Sequence, residues 1–309
     1  MSAESEHTGD GAVETQEESR EGGAVATDGE HLVELYKKMV LVRTFEEATQ
    51  RGFRQGKIGG YLHVYIGQEA VATGFLDAYR EGDAVITAYR DHPHALLLGG
   101  DSKSVMAELY GKGTGIVKGK GGSMHNGAFH EAANLSGLWG RDGFNPCLWI
   151  VENNQYGMGT SVARSTAMTD LGAKFDAYGI EHEKVDGMDL EAVLEVAHRT
   201  TEMVRETGQP YAVEALTYRT APHGAADFFE KYRTKDEVKK WRQRDPIGQL
   251  EHKLLEREIL DEDALEEIRA EMKETMDEAT NFADESEEPS VDELYTDVYA
   301  GEDEYMGEE

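Results

Sequence analysis

Apolar positions recur at helical spacing as soon as the chain leaves its first thirty residues. Leu32, Tyr36, Met39, Val40 and Phe45 share one face of LVELYKKMVLVRTFEEATQRGF and predict a long amphipathic helix. Gly56, Gly59 and Gly60 end it and open a loop that carries His63. A second helix is expected over 69–79, with Ala70, Thr73, Gly74 and Ala78 as its small, closely packing side. Gly82 and Asp83 then turn the chain into the apolar run Ala84 to Ala88, which reads as a short buried strand breaking at Tyr89. Asp101 or Ser102 is placed to cap a helix running to Tyr110, because a short polar side chain can accept the free amides of a first turn. The glycine-dense stretch from Gly111 to Gly127 is an irregular loop, after which AFHEAANLSGLW returns to helix with Phe129, Ala133 and Leu138 available for burial.

The centre of the pattern is CLWIVENNQYGMGTS, Cys147 to Ser161. A buried strand ends at Glu152 and gives way at once to asparagines, a tyrosine and glycines. Met168 to Tyr178 has no decisive period. Leu190, Val193, Leu194 and Ala197 mark a helix reaching about Arg205, and Tyr211 to Leu216 forms a strand after Pro210. Strand, loop, helix and strand in this order define an α/β domain with a largely parallel sheet. Ligands in such sheets bind beyond the carboxyl ends of the strands. Residues 230–309 turn helical and acidic, with Leu250, Leu254, Leu255, Ile259, Leu265, Ile268 and Met272 as an intermittent apolar face. The organisation expected is a disordered acidic tail over 1–30, an α/β domain over 31–229 and a helical extension over 230–309.

Charge narrows the partners. Sixty-two acidic residues against 31 basic ones give a formal charge of −31, which repels nucleic acid and anionic membranes. The excess runs through the whole chain and fits adaptation to a salty interior, where repulsion is screened. One cysteine, Cys147, excludes an internal disulfide framework and points to a reducing compartment, the cytoplasm. No apolar run approaches the ~18 residues of a membrane-crossing helix.

Several residues have the chemistry for a site, each with an ordinary alternative. Asn153 and Asn154 offer oxygen ligands for magnesium, or local turn bonds. Tyr89, Arg90 and His92 follow a predicted strand, where arginine can grip a phosphate or form a surface ion pair. The lysine- and glycine-rich loop can surround an anion but has neither the Walker ending nor dinucleotide spacing. His63, His125 and His223 stand in separate glycine-containing loops, suited to proton transfer or simply solvated. No zinc spacing and no nucleophile elbow is present.

LYKKMVLVRTFEE, GGYLHVYIGQEA, ITAYRDHPH, KGKGGSMH, GAFHEAANL, ENNQYGMGTS, VDGMD, YRTKDEV, RDPI and ELYTDVY together resemble the alpha subunits of thiamine-diphosphate-dependent 2-oxo acid dehydrogenase components, especially those acting on pyruvate. The resemblance implies the thiamine-diphosphate-binding fold and oxidative decarboxylation with acetyl transfer to lipoyl groups. Branched-chain 2-oxo acids or acetoin are the alternative substrates. It implies thiamine diphosphate and Mg2+, with Tyr89, Arg90, Asn154 and Tyr156 holding the cofactor, Asn154 and Tyr156 ligating the metal, and His63 and His223 in catalytic positions. The partners implied are a beta subunit, completing a heterotetramer, and the lipoyl domain and acyltransferase core. Gly224 stands where mammalian relatives carry a phosphorylated serine.

One segment departs from the family. Its signature opens with Gly-Asp-Gly and closes, some tens of residues on, with paired asparagines. Here Asn153 and Asn154 are present, but no such triplet precedes them at that distance, and KGKGGSMH runs almost directly into GAFHEA. The expected consequence is a sheet missing a central strand and a magnesium site missing its aspartate, which leaves a noncatalytic partner-binding subunit as a further reading. WGRDGFNPC and AADFFEKYR are smaller departures.

Overall fold

The computed structural model describes residues 28–114, 128–227 and 232–291. The acidic tail before Asp28, most of the glycine-rich loop with His125, the centre of AADFFEKYR and the ELYTDVY segment lie outside the described residues. Helix α1 spans Gly29–Arg54, starting where Asp28 accepts the amide of His31. Its buried stripe Leu32, Leu35, Tyr36, Met39 and Val40 packs against α9 (Pro246–Glu256) and α10 (Glu262–Glu285) through Ile247, Leu250, Leu254, Leu265 and Ile268. The carboxyl-terminal helices therefore complete the core that α1 begins. Helix α2 (Glu69–Asp77) is buried almost all round, and α4 (Ser102–Leu109) starts at the expected cap, Asp101, which accepts from the Ser104 amide. The short α3 (His92–Leu97) was not anticipated, because it opens in the middle of a motif that reads as loop.

Helix α5 (Ala128–Gly140) leads into β1 (Leu148–Asn153), a two-residue hairpin of β2 (Tyr156–Gly157) and β3 (Thr160–Ser161), and the single turn α6 (Val162–Ser165). A 3-10 turn over Gly172–Tyr178 precedes β4 (Glu181–Asp186), α7 (Leu190–Thr207) and β5 (Tyr211–Leu216), and α8 (Lys235–Arg242) links the sheet to α9. The main sheet has the order β1-β5-β4, all parallel, with Leu148 opposite Tyr211 and Glu181 opposite the same residue on the other side. The β4–α7–β5 unit, two adjacent parallel strands joined through a helix, is the ordinary crossover connection. Alternation divides β5 between two cores: Val213 and Ala215 pack with Val71, Phe75, Val193 and Ala197, while Ala212 packs with Phe175, Ile180 and Trp149 on the opposite face.

Two expectations fail, for related reasons. The run Ala84 to Ala88 is neither buried nor a strand; Ile86 is 93% exposed. Leu138, expected in the core, is 49% exposed, and its neighbours Leu135 and Trp139 are exposed with it. An apolar run becomes a buried strand only where another strand and a covering layer stand beside it, and none does among the described residues. Strand β4, conversely, was missed because EHEKVD carries the charges of an edge strand and no apolar alternation.

Two interior contacts set the loops that follow. Glu69, fully buried, accepts from the Gly67 amide and from Arg43 Nε at 2.6 Å, while Arg43 also reaches Asp245 at 2.9 Å. The loop through His63 and the chain leaving β5 are joined by Thr220 N donating to Ile66 O at 3.1 Å and Thr217 Oγ1 to Gly67 O at 3.4 Å.

Candidate active site

The carboxyl ends of β1 and β5 face the loops carrying His63, Arg90 and His223, and here four of the six expected site residues meet. Arg90, 6% exposed, donates Nη1 to Val64 O at 2.7 Å and Nη2 to His223 O at 2.9 Å and to His223 Nδ1 at 3.0 Å. A guanidinium can only donate, so His223 Nδ1 is the acceptor and the proton of this imidazole sits on Nε2. His223 Nε2 lies 3.2 Å from His63 Nε2, which must then accept, leaving the His63 proton on Nδ1. Tyr89 packs on His63 with ring centroids 4.5 Å apart and on Arg90, whose guanidinium carbon is 5.2 Å from the tyrosine ring centre.

Burial, with the Arg90 charge next, pushes His63 down to about 4. Burial, Arg90, Arg219 and His63 together push His223 down to about 3. Both imidazoles are therefore neutral across the physiological range. Because the folded values lie below the ordinary 6.5, the unfolded chain binds protons that the folded chain refuses. Stability contributed by this pair is complete above pH 6.5 and falls as pH drops from 6.5 towards 4. After screening at the half-buried His63, the loss at pH 5 is about 1 kcal/mol per histidine. Urea titrations at pH 7 and pH 5 on the native chain and on His63→Gln/His223→Asn check this, since the double variant loses that share of the pH dependence.

The fifth and sixth residues make other contacts: Tyr156 packs on Tyr232, whose hydroxyl accepts from the His223 amide. Asn154 donates Nδ2 to Gln68 Oε1 at 3.0 Å, and its Oδ1 faces the Tyr156 amide at 3.4 Å. The Tyr156 hydroxyl donates to Glu237 Oε1 at 2.8 Å, a bond shared with Tyr218. Glu152, the last apolar-face position of β1, accepts from the Tyr65 hydroxyl, and burial pushes its carboxyl up to about 7 against the opposing pull of Tyr65 and Arg90.

Sequence reading missed Arg219. It is 1% exposed and follows β5 as Arg90 follows the Ala84–Ala88 run: both close a Tyr-Arg pair, Tyr218-Arg219 and Tyr89-Arg90. That repeated dipeptide was the available signal. Nη2 of Arg219 donates to Met158 O at 3.1 Å, but its Nε and Nη1, like Nε of Arg90, meet no acceptor among the described residues. Burial and the neighbouring charges of Arg90 and Arg233 hold Arg219 below the ordinary arginine range. Buried cationic donors without acceptors are costly, and an anion is what would satisfy them. The residues fit the diphosphate of a cofactor. Among the described residues no group of three or more His, Cys, Asp or Glu side chains that could hold a metal occurs. Asp170, one conceivable substitute, is paired with Lys184 at 2.8 Å.

The loop after His223 is closed by its own bonds. Tyr61 donates to Asp227, Gly224 N donates to Asp227 Oδ2, and Ala225 N donates to Leu62 O. A Cβ at Gly224 would lie 2.4 Å from Tyr61 Cε1. Gly224→Ser is therefore expected to swing Tyr61 outward and break its bond to Asp227, at a cost of about 1 kcal/mol, because Tyr61 is already half exposed and can move. Thermal melts and tyrosine fluorescence read both effects.

A family model described as the dehydrogenase E1 component matches residues 37–128 and 126–292. The chain belongs to that family. It is 37% identical over 318 residues to the pyruvate dehydrogenase E1 component subunit alpha of Rickettsia felis, covering 87% of this chain and 96% of the relative. The subunits of the same name from Rhizobium meliloti, 38% identical over 327 residues with coverage of 90% and 92%, and from Porphyra purpurea, 33% over 324 with 87% and 93%, are similar to it as well. An alignment of 318 residues that takes in only 87% of a 309-residue chain contains several tens of positions with no counterpart here. The divided family match puts that gap at 126–128. The triplet Gly-Asp-Gly does occur once, as Gly9, Asp10 and Gly11, but in the tail outside the described residues and far upstream of Asn153. Among the described residues no helix is long and apolar enough to cross a membrane.

Proposed function

We propose that the chain is the alpha subunit of a pyruvate dehydrogenase component, acting in oxidative decarboxylation of pyruvate and acetyl transfer to lipoyl groups together with a beta subunit. The observation that carries this reading is the pair of buried arginines, Arg90 and Arg219, with donors left over at the carboxyl ends of parallel strands beside two neutral histidines. Arg90 and Arg219 would hold the diphosphate of thiamine diphosphate, with Tyr89 fixing the Arg90 plane by stacking. The bound cofactor would supply the carbanion chemistry that lets a 2-oxo acid lose carbon dioxide. His223 presents a proton on Nε2 to His63, and the two imidazoles stay neutral, so that either can donate or accept without first shedding charge. Asn154 Oδ1 and the Tyr156 carbonyl are the oxygens that would hold magnesium beside the diphosphate.

Calorimetric titration of thiamine diphosphate, with and without magnesium, into the chain coexpressed with its beta partner tests the reading. Saturable binding that disappears in Arg90→Gln supports it. A folded, partner-associated complex that takes up no thiamine diphosphate would instead favour the noncatalytic subunit.

A further inference from the structure

Helix α5 stands as a crossover helix, with no strand before it among the described residues. It packs Phe129 and Ala133 towards the 3-10 turn and the Trp149 face of the sheet, then passes directly into β1, just as α7 passes into β5. In the β4–α7–β5 unit the strand before the helix lies parallel and adjacent to the strand after it. The same rule applied to α5 and β1 puts a strand on the free side of β1. No described strand occupies that side, and the several tens of family positions without a counterpart fall immediately before α5.

The two edges of the sheet differ in kind. Strand β4 ends the sheet with Glu181, Glu183 and Lys184, charges that discourage further pairing. Strand β1 reads LWIVEN, and Ile150 at its middle is 41% exposed. It carries no lysine, proline or bulge. Helix α5 and its connection to β1 also expose Leu138 (49%), Trp139 (56%) and Phe144 (81%). This is the composition of an inner strand standing at an edge.

We propose that the outer edge of β1 is a strand-acceptor site, which takes one extended, uncharged, apolar segment parallel to β1 from a separate polypeptide equivalent to the family positions missing between residues 126 and 128. A second copy of the chain is the poorer occupant, because the family positions without a counterpart fall immediately before α5, where the partner strand of β1 belongs. Recognition is the main-chain ladder along Leu148 to Asn153, with the exposed side chain of Ile150 as an apolar contact for the added strand.

The probe is a synthetic peptide spanning the positions of the Rickettsia felis subunit that align in this gap, added to the full chain. Saturable one-to-one binding is expected, followed by Trp149 fluorescence, with amide exchange in Leu148 to Asn153 slowed about tenfold or more and exchange in β4 unchanged. Ile150→Lys, at an exposed position, is expected to retain the fold and lose the peptide. The proposal is overturned if the peptide does not bind, if it binds without protecting β1, or if the chain alone is already a dimer in which β1 is protected and Ile150→Lys yields monomers.

Discussion

Arg219→Gln is expected to make the ligand-free chain more stable and its site nearly inert. The guanidinium is 1% exposed, has Nε and Nη1 without acceptors among the described residues, and stands against the charges of Arg90 and Arg233. Its bond to Met158 O is one that the glutamine amide can keep. Removing an uncompensated buried charge while keeping that bond stabilises by about 1 kcal/mol. The same donors are those an anion would use, and charged hydrogen bonds of this kind are worth roughly 1.5–3 kcal/mol each. Affinity for inorganic pyrophosphate or thiamine diphosphate should therefore fall about 100-fold. Denaturant titration and calorimetry on the same preparation read the two changes. A variant that is less stable and binds as before would make Arg219 a structural residue and remove the main support for the diphosphate site.

Gly67→Ala should have the largest effect on the fold. Gly67 has φ +99°, a region that L side chains rarely adopt, and a Cβ there would lie 2.4 Å from Tyr218 O and 2.9 Å from Thr220 N. Both are backbone atoms, so no side chain can rotate away. The clash falls where the His63 loop is bonded to the chain leaving β5, and where Glu69 holds the Gly67 amide. A loss of about 3 kcal/mol or more is expected, since positive-φ strain and steric overlap add. Separating these segments also pulls Val64 O from Arg90, so pyrophosphate affinity should fall with the thermal midpoint. An unchanged midpoint would show that the loops can part without cost.

Much of this architecture was legible from local pattern. The stripe of α1, the apolar side of α7 and the full extent of β5 follow from periodicity, because each has one face against the core and one away from it. Asp101 and Asp189 capped the helices they precede for the same local reason. His63, Tyr89, Arg90 and His223 were named through segments resembling the family, and the structure brings those four together. It bonds Asn154 to Gln68 and Tyr156 to Glu237.

The rest depended on neighbours. Ala84 to Ala88 is as apolar as a strand should be yet lies exposed, while EHEKVD is charged and yet forms β4. Strand formation is a statement about what lies alongside, and a linear pattern does not contain it. Arg219 looked like any arginine after a strand until folding removed its water and set Arg90 and Arg233 beside it.

The sequence by itself determined most of the helices, the parallel α/β class, the candidates His63, Tyr89, Arg90 and His223 and the break in the family pattern before Gly127, because periodicity, caps and motif order are local properties of the chain. Only the tertiary structure decided which histidine nitrogen carries the proton, and which arginine donors and which sheet edge have no partner among the described residues. Each of those depends on desolvation and on partners distant in sequence, and so comes into existence only when the chain has packed.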